Sequence, residues 1–308
     1  MKEEVRDLTT KIYWLEAITP LHVGTGRGVG FIDLPIIREK VTSWPLVPGS
    51  AVKGVMRDYF DQKKNEKKGE EIKAFEKLIN AAFGKPDDDS GNANSGNLVF
   101  TDARIVCLPV RSLYGTFAYV TSRLVLERLK RDLIAAGYKD VPEAPEAGET
   151  EALHAPGSKL AADNKVFFED LDFTARPDND RTQKWAEMLA GAIFSSDIRW
   201  QSIFKERFAV VSDNSFNFLS ETGTEVAAHI RIEDEKKIVA KGALWYEEAL
   251  PVETIMAGIA WCDRVYGGNG INQEKILSTF CGDSALELQI GGKATVGKGR
   301  VRCLFTGS

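Results

Sequence analysis

The chain has 308 residues, 43% of them hydrophobic and 28% charged, with a formal net charge of −5. That length suits one elaborated domain or two small ones, and apolar and aromatic residues are too plentiful for wholesale disorder. The opening run Met1 to Asp7 is charged rather than an apolar leader, and no stretch of about 18 apolar residues could cross a bilayer, so the sequence reads as cytoplasmic, with no membrane partner.

Lys11 to Thr19 reads as a strand stopped by Pro20, and a glycine-rich loop follows from His22 to Gly30, HVGTGRGVG. This loop has no G-K-[ST] of a Walker A motif. It opens into the extended segment Phe31 to Ile37 rather than a helix, which counts against a Rossmann turn. Two readings stay open for it: a flexible hairpin, or a backbone loop that a phosphate chain can approach closely. Asp33 sits among apolar residues just after the loop, where an acid is capped, paired with Arg38, or catalytic.

After Pro48, Gly49 to Phe60 has Val52, Val55, Met56 and Tyr59 at helical spacing, with Ser50 available as a cap. Ser50, Lys53 and Arg57 share a face that would offer cations and free amides to phosphates, although such a face also serves solubility alone. Asp61 to Lys73 reads as charged helix or solvated chain, Gly84 to Gly96 as a loop, and Leu98 to Val106 as a strand. Thr121 or Ser122 can cap a helix to about Ala136 that Gly137 ends.

From Tyr138 the chain turns rich in Pro, Ala, Glu and Gly, and residues 138–180 hold eleven acids against four basic residues. This stretch reads as a surface insertion that carries more than the net negative charge of the whole chain, leaving the remainder near neutral or basic. Asp180 to Phe194 is a helix with Trp185, Met188, Leu189 and Ile193 on its core face. Phe208 to Ser212, Val226 to Ile232 and Ile238 to Trp245 read as strands, the last two joined by the polar turn Glu233 to Lys237. Pro251 is expected to open a helix with Ile255, Met256, Ile259 and Ala260 inward. Strands at Leu286 to Ile290 and Val301 to Phe305 flank a second glycine loop, Gly291 to Arg300, in which four glycines alternate with three basic residues. Exposed amides beside Lys293, Lys298 and Arg300 suit an oligonucleotide backbone, with a solvated turn as the plain alternative.

Cys107, Cys262, Cys281 and Cys303 show no C-x-x-C spacing and read as small buried hydrophobes. His22, His154 and His229 are dispersed, so no histidine acid and base pair is indicated. The pattern as a whole is compatible with an α+β, ferredoxin-like core carrying insertions.

The blocks ITPLHVGTGRG at 18–28, DLPIIRE at 33–39, PLVPGSAVKGVMR at 45–57 and GGKATVGKGR at 291–300 resemble the RAMP superfamily. PVRSLYGTFAYVTS at 109–122 and GALWYEEALP at 242–251 are similar, more narrowly, to backbone subunits of the type III-B CRISPR (Cmr) effector complex. The resemblance implies a single RRM-like palm over residues 1–308, with insertions near 61–97, 138–180 and 207–245, the last holding a thumb hairpin. It further implies copies stacked head to tail on a guide (CRISPR) RNA beside other subunits of the effector, and an endoribonuclease that cuts target RNA at regular intervals. Asp33 would be catalytic and would share a divalent metal, magnesium or manganese. RNA would be bound by His22, Gly24, Gly26, Arg38, Ser50, Lys53, Arg57, Gly291, Gly292, Lys293, Gly297 and Lys298, with Phe216 and Phe218 of the thumb region wedging or stacking on bases. The alternatives are a non-catalytic scaffold in which Asp33 only pairs with Arg38, and a stand-alone guide-processing nuclease, against which the lack of a His, Tyr and Lys set counts.

Overall fold

The computed structural model describes residues 10–26, 28, 32–85, 94–232, 239–263, 265 and 270–307. Strand β1 (Thr10–Ala17) is buried from Ile12 to Ala17 because the sheet it lies in is covered on both faces there. Tyr13 and Leu15 point into one core, and Ile12 and Trp14 into the other. Full burial of each such side chain contributes roughly 1.5–3 kcal/mol.

Strand β2 (Leu46–Val47) leads to α1 (Gly49–Lys64), whose Val52, Met56 and Phe60 are buried at i, i+4 and i+8, and α2 (Glu70–Phe83) packs beside it. The short strands β3 (Gly84–Lys85) and β4 (Asn94–Ser95) pair together. Next come β5 (Leu98–Phe100), β6 (Ala103–Ser112), β7 (Thr116–Ser122) and α3 (Arg123–Ala135), with Gly137 at φ 91° just past the helix end. Then follow β8 (Glu151–His154), β9 (Lys165–Phe168), β10 (Leu171–Pro177), α4 (Arg181–Ile193), α5 (Ile198–Arg207), β11 (Phe208–Val211) and α6 (Asp213–Thr222). The chain continues with β12 (Glu225–Ile232), β13 (Val239–Ala249), β14 (Ile255–Cys262), α7 (Gln273–Phe280), β15 (Leu286–Gln289) and β16 (Arg300–Thr306).

The main sheet runs β15, β16, β1, β14, β6, β7, β11, β8, β10, β9, with β2 on β6 and β5 on β14. The pairs β7–β11 and β8–β10 are parallel. Helices α1, α2, α6 and α7 contribute to one core and α4 and α5 to the other, while α3 sends Val125 into the first and Leu126, Leu129 and Leu133 into the second. The architecture is therefore mixed α/β in three layers. Strands β12 and β13 form a separate two-stranded hairpin. Among the described residues no helix is long and apolar enough to cross a membrane, and all four cysteines are buried free thiols.

Several expectations need correction. The segment after Pro251 is not a helix: Ile255–Cys262 is strand β14, in register with β1 and β6. A short apolar run fits a buried strand as well as a helix, and here both faces meet a core. Residues 138–180 are not a surface appendage, because β8, β9 and β10 extend the main sheet and bury Leu160, Phe168 and Phe173. In the 61–97 stretch, α2 is packed through Leu78, Ile79 and Ala82. Ser50 and Ser122 make no capping hydrogen bond. Distant aspartates serve instead, Asp102 accepting from the Gly49 amide at 2.9 Å and Asp213 from the Leu124 amide at 2.9 Å. The stretch 207–245 opens with β11 and α6 in the body, and the hairpin itself spans 225–249. The polar turn at 233–237, the middle of the 84–96 loop, the tip of the first glycine loop and the Met1 to Asp7 run lie outside the described residues.

Candidate functional site

The root of the β12–β13 hairpin gathers most of the singled-out residues. Strand β13 offers its outer edge, the one turned from β12, to residues 33–36. The Leu34 amide donates to the Tyr246 carbonyl at 3.1 Å, and the Glu248 amide donates to the Leu34 carbonyl at 3.0 Å. Asp33 is exposed, and its Oδ2 accepts from the Tyr246 amide at 2.8 Å, the one hydrogen bond of its carboxylate among the described residues. The first glycine loop folds back on this segment as a hairpin, through Thr25 N to Pro35 O at 3.1 Å and Ile37 N to Val23 O at 2.8 Å. Gly26, exposed with φ 77°, lies near its tip.

Arg38 does not pair with Asp33. It is bound to Glu248 at 2.5 Å and donates to the Ser43 and Ser220 carbonyls. Glu248 is buried and also accepts from the Ile36 amide at 3.0 Å and the Thr224 hydroxyl at 3.0 Å. A buried carboxylate needs such partners, and these fix the Asp33 segment to the hairpin.

His22 joins the two glycine loops. It is buried, its Nδ1 lies 2.6 Å from the Glu248 carbonyl, and its own carbonyl accepts from the Gly292 amide at 2.9 Å. Gly291 adopts φ 82°, and a Cβ there would fall on the His22 carbonyl oxygen, so only glycine allows this approach. Beside Gly24 a Cβ would press on the His22 ring.

The terminal loop then turns through Lys293 at φ 68° and Gly297 at φ 83°. Its lysines converge on Glu247, Lys298 at 2.7 Å and Lys293 at 3.3 Å. Burial works against ionising Glu247, but hydrogen bonds from Lys298 and Lys293 outweigh it and hold the carboxyl below its ordinary range. The Lys293 ammonium also lies 6.0 Å from the Trp245 ring centroid, and His229 stacks on that ring at 5.6 Å and 17°.

Helix α1 packs against β15, the strand that feeds the terminal loop. Ser50 is exposed near its N-terminus. Lys53 is half-buried, its pKa lowered by that burial, and Arg57 pairs with Asp61 at 3.6 Å. Phe216 does not fit the wedge role: it is fully buried on α6 and packs edge-on against Trp44 at 5.1 Å. Phe218, on the same helix, is exposed but sits in the body, outside the hairpin.

Sequence reasoning assigned no role to Trp245, Glu247, Glu248 or His229. The signal was present in Glu247-Glu248: consecutive strand residues face opposite ways, so two buried acids in a row require cations on both sides. Among the described residues no group of three or more His, Cys, Asp and Glu is placed to hold a metal ion. An ion at Asp33 would therefore need its other ligands from beyond the described residues, such as phosphate oxygens and water, the usual manner for Mg2+.

The model of the RAMP superfamily matches residues 14–302, and the chain belongs to that superfamily. Within it, the chain is 36% identical over 290 residues to the CRISPR system Cmr endoribonuclease Cmr4 of Pyrococcus furiosus, covering 94% of this chain and 92% of the relative. The crystal structure of oligomeric Cmr4 from Pyrococcus furiosus superposes with TM-score 0.70 at 30% identity, over 97% of this chain and 98% of that one. A chain of the type III-B Cmr-beta complex bound to cognate target RNA shares the fold, with TM-score 0.71 at 19% identity over 96% of each.

Proposed function

We propose that this chain is a repeated backbone subunit of a type III-B, RNA-guided effector, and that it cuts target RNA at Asp33. In this reading the main sheet is a ferredoxin-like, RRM-like palm and the β12–β13 hairpin is the thumb. Copies stack head to tail along a guide RNA beside the other effector subunits, and each thumb opens the guide and target duplex at a regular interval. The carrying observation is the position of Asp33: an exposed carboxylate, held by the Tyr246 amide at the hairpin root, next to two glycine loops joined through His22.

The chemistry follows from RNA itself. A nucleotide splayed by the hairpin can align its 2′-hydroxyl with the neighbouring phosphorus, and a fixed carboxylate can orient that hydroxyl and take its proton. The Tyr246 amide occupies Oδ2 and fixes the carboxylate, so Oδ1 is the oxygen that faces the hydroxyl. The product is a 2′,3′-cyclic phosphate. A magnesium or manganese ion shared by Asp33 and RNA phosphates would supply charge neutralisation at the phosphate. Guide phosphates would meet Ser50, Lys53 and Arg57 on α1 and the amides and lysines of the loop from Gly291 to Lys298. In the scaffold alternative another subunit cuts; the Asp33–Arg38 pair expected with it is not formed, since Arg38 is bound to Glu248, and the experiment below separates the two readings.

The test is cleavage by the reconstituted effector with Asp33→Ala, in magnesium. The expected result is a rate loss of about 10²–10⁴-fold with target binding retained. Unchanged cutting would make the chain a scaffold and assign the nuclease to another subunit.

A further inference from the structure

The two faces of the β12–β13 hairpin differ in kind. Val226 lies opposite Glu248, Ala228 opposite Tyr246 and Ile230 opposite Leu244, and alternation along each strand puts these six side chains on one face. His229, Trp245 and Glu247 take the other, where Lys293 and Lys298 of the terminal loop meet them. Leu34 bridges Glu247 in parallel register, so it shares that second face, and Asp33, one residue earlier, turns to the first. The Asp33 carboxylate sits beside Tyr246 and accepts from its amide. The backbone of β13 thus separates Asp33 from the lysine loop.

The first face is apolar and open. Val226, Ile230, Leu244 and Tyr246 are each 37–52% exposed. Ile230 and Leu244, directly opposed, stand with their Cβ atoms about 5 Å apart and form one ridge. Resting on the cleavage reading above, we propose that this face holds the target nucleotide by its base. The Ile230–Leu244 ridge enters the stack beside the base at the cut, the Tyr246 ring packs on that base, and the attached 2′-hydroxyl is thereby brought to Asp33. The three are positioning residues, and they take the part that Phe216, sealed in the core, cannot fill.

The surroundings favour a base over a second protein. The patch covers on the order of a few hundred Å², well short of the about 800 Å² that each partner gives to a stable protein interface. It adjoins a carboxylate whose Oδ1 has no partner among the described residues, which suits a ribose hydroxyl and would be costly to cover with an apolar protein surface. Aliphatic and aromatic carbon carries no hydrogen-bond code and accepts every base, because each base has a π-face. Cutting directed by a guide must be indifferent to the base at the cut. Phosphates drawn to Lys293 and Lys298 lie behind β13, so Asp33 reaches the target strand and not the strand those lysines hold.

The experiment uses the reconstituted effector carrying Ile230→Ser with Leu244→Ser, Tyr246→Ala, or Tyr246→Phe. Each cuts a natural target and one with an abasic ribose at the nucleotide that supplies the 2′-hydroxyl. The serine pair and Tyr246→Ala should each slow natural cutting by about 10-fold or more, with target binding within a few-fold of wild type. Removing the base should slow wild type by a similar factor and leave those variants no slower than before, since both changes delete the same contact. Tyr246→Phe keeps the ring and should restore cutting of the natural target. Wild-type cutting by the serine pair and Tyr246→Ala, or losses that multiply on the abasic target, would overturn the proposal. Shorter assemblies on sizing, with cutting lost in proportion, would overturn it too and make the face a contact between copies. 2-Aminopurine at the same nucleotide reads the contact without cutting: in complexes carrying Asp33→Ala its emission should rise when Tyr246→Ala is added, and equal emission counts against the platform. If Asp33→Ala alone cuts at the wild-type rate, the cleavage reading fails, and the emission still decides the platform separately.

Discussion

Two glutamate–arginine pairs in this chain titrate in opposite directions. Glu16, inside the main sheet on β1, is buried and paired with Arg302 at 2.6 Å, yet burial dominates and, with Glu253 nearby, pushes its carboxyl up to about 7. Glu39, on the segment that carries Asp33, lies at the rim. The Arg128 guanidinium and the Thr42 hydroxyl bind it, at 2.8 Å in one Arg128 contact, and draw its carboxyl down to about 2. A cation alone therefore does not decide the state of an acid; access to water and the number of donors do. The body of the protein tolerates a carboxylate that burial disfavours, whereas the Asp33 segment is tied down by groups that gain from being charged.

The sharpest way to break that contrast is Glu248→Ala. It strands Arg38 and removes the acceptor for the Ile36 amide and the Thr224 hydroxyl. The expected loss is about 3–5 kcal/mol, as for breaking a buried ion pair, read as a fall in urea midpoint, with amide exchange rising first over 33–38. A loss below about 1 kcal/mol would mean that Leu34 and Ile36, by apolar contact, hold the segment.

Next in size is the pH dependence of the body. Glu16 binds its proton more tightly folded than unfolded, where the value is the ordinary 4.5. Its penalty is absent below pH 4.5, grows as pH rises, and is complete above about 7. The shift corresponds to about 3 kcal/mol. Glu16→Gln should therefore flatten the decline in stability between pH 4.5 and about pH 7 in denaturant titrations. An unchanged slope would assign the decline to Glu253, which burial also shifts upward.

These differences explain what the sequence could and could not convey. Local signals read well: β1, the core stripe of α4, and the final strand each have a pattern that only one environment satisfies. Capping chemistry held more than was taken from it, since Asp197, Ser212 and Asn272 accept from the first-turn amides of α5, α6 and α7. Where partners lie far along the chain the text is silent. Ile255–Cys262 becomes a strand because β1 and β6 supply hydrogen bonds, and Phe216 is core because Trp44 closes on it. Of the site, the glycine loops and Asp33 stand out in one dimension. Glu247 and Glu248 acquire meaning only when Lys293, Lys298 and Arg38 arrive from opposite ends of the chain.

The smallest effect is the most telling about the segment itself. Arg128→Met removes the cation that pairs with Glu39 while keeping a flexible apolar stem near Trp44, whose ring centroid lies 6.0 Å from the guanidinium. The depressed carboxyl contributes stability that is present above pH 4.5 and lost as pH falls toward about 2. Glu39 is 21% exposed, so solvent screening reduces the contribution to about 1 kcal/mol. Wild type and variant should thus differ by that amount at pH 7 and converge near pH 2–3. If target cleavage at pH 7 falls by much more than the stability change, with RNA binding intact, then the Glu39–Arg128 contact acts by aiming the segment that bears Asp33. A proportionate fall would mean that Glu248 alone sets the aim, and that the rim pair only adds to the total stability.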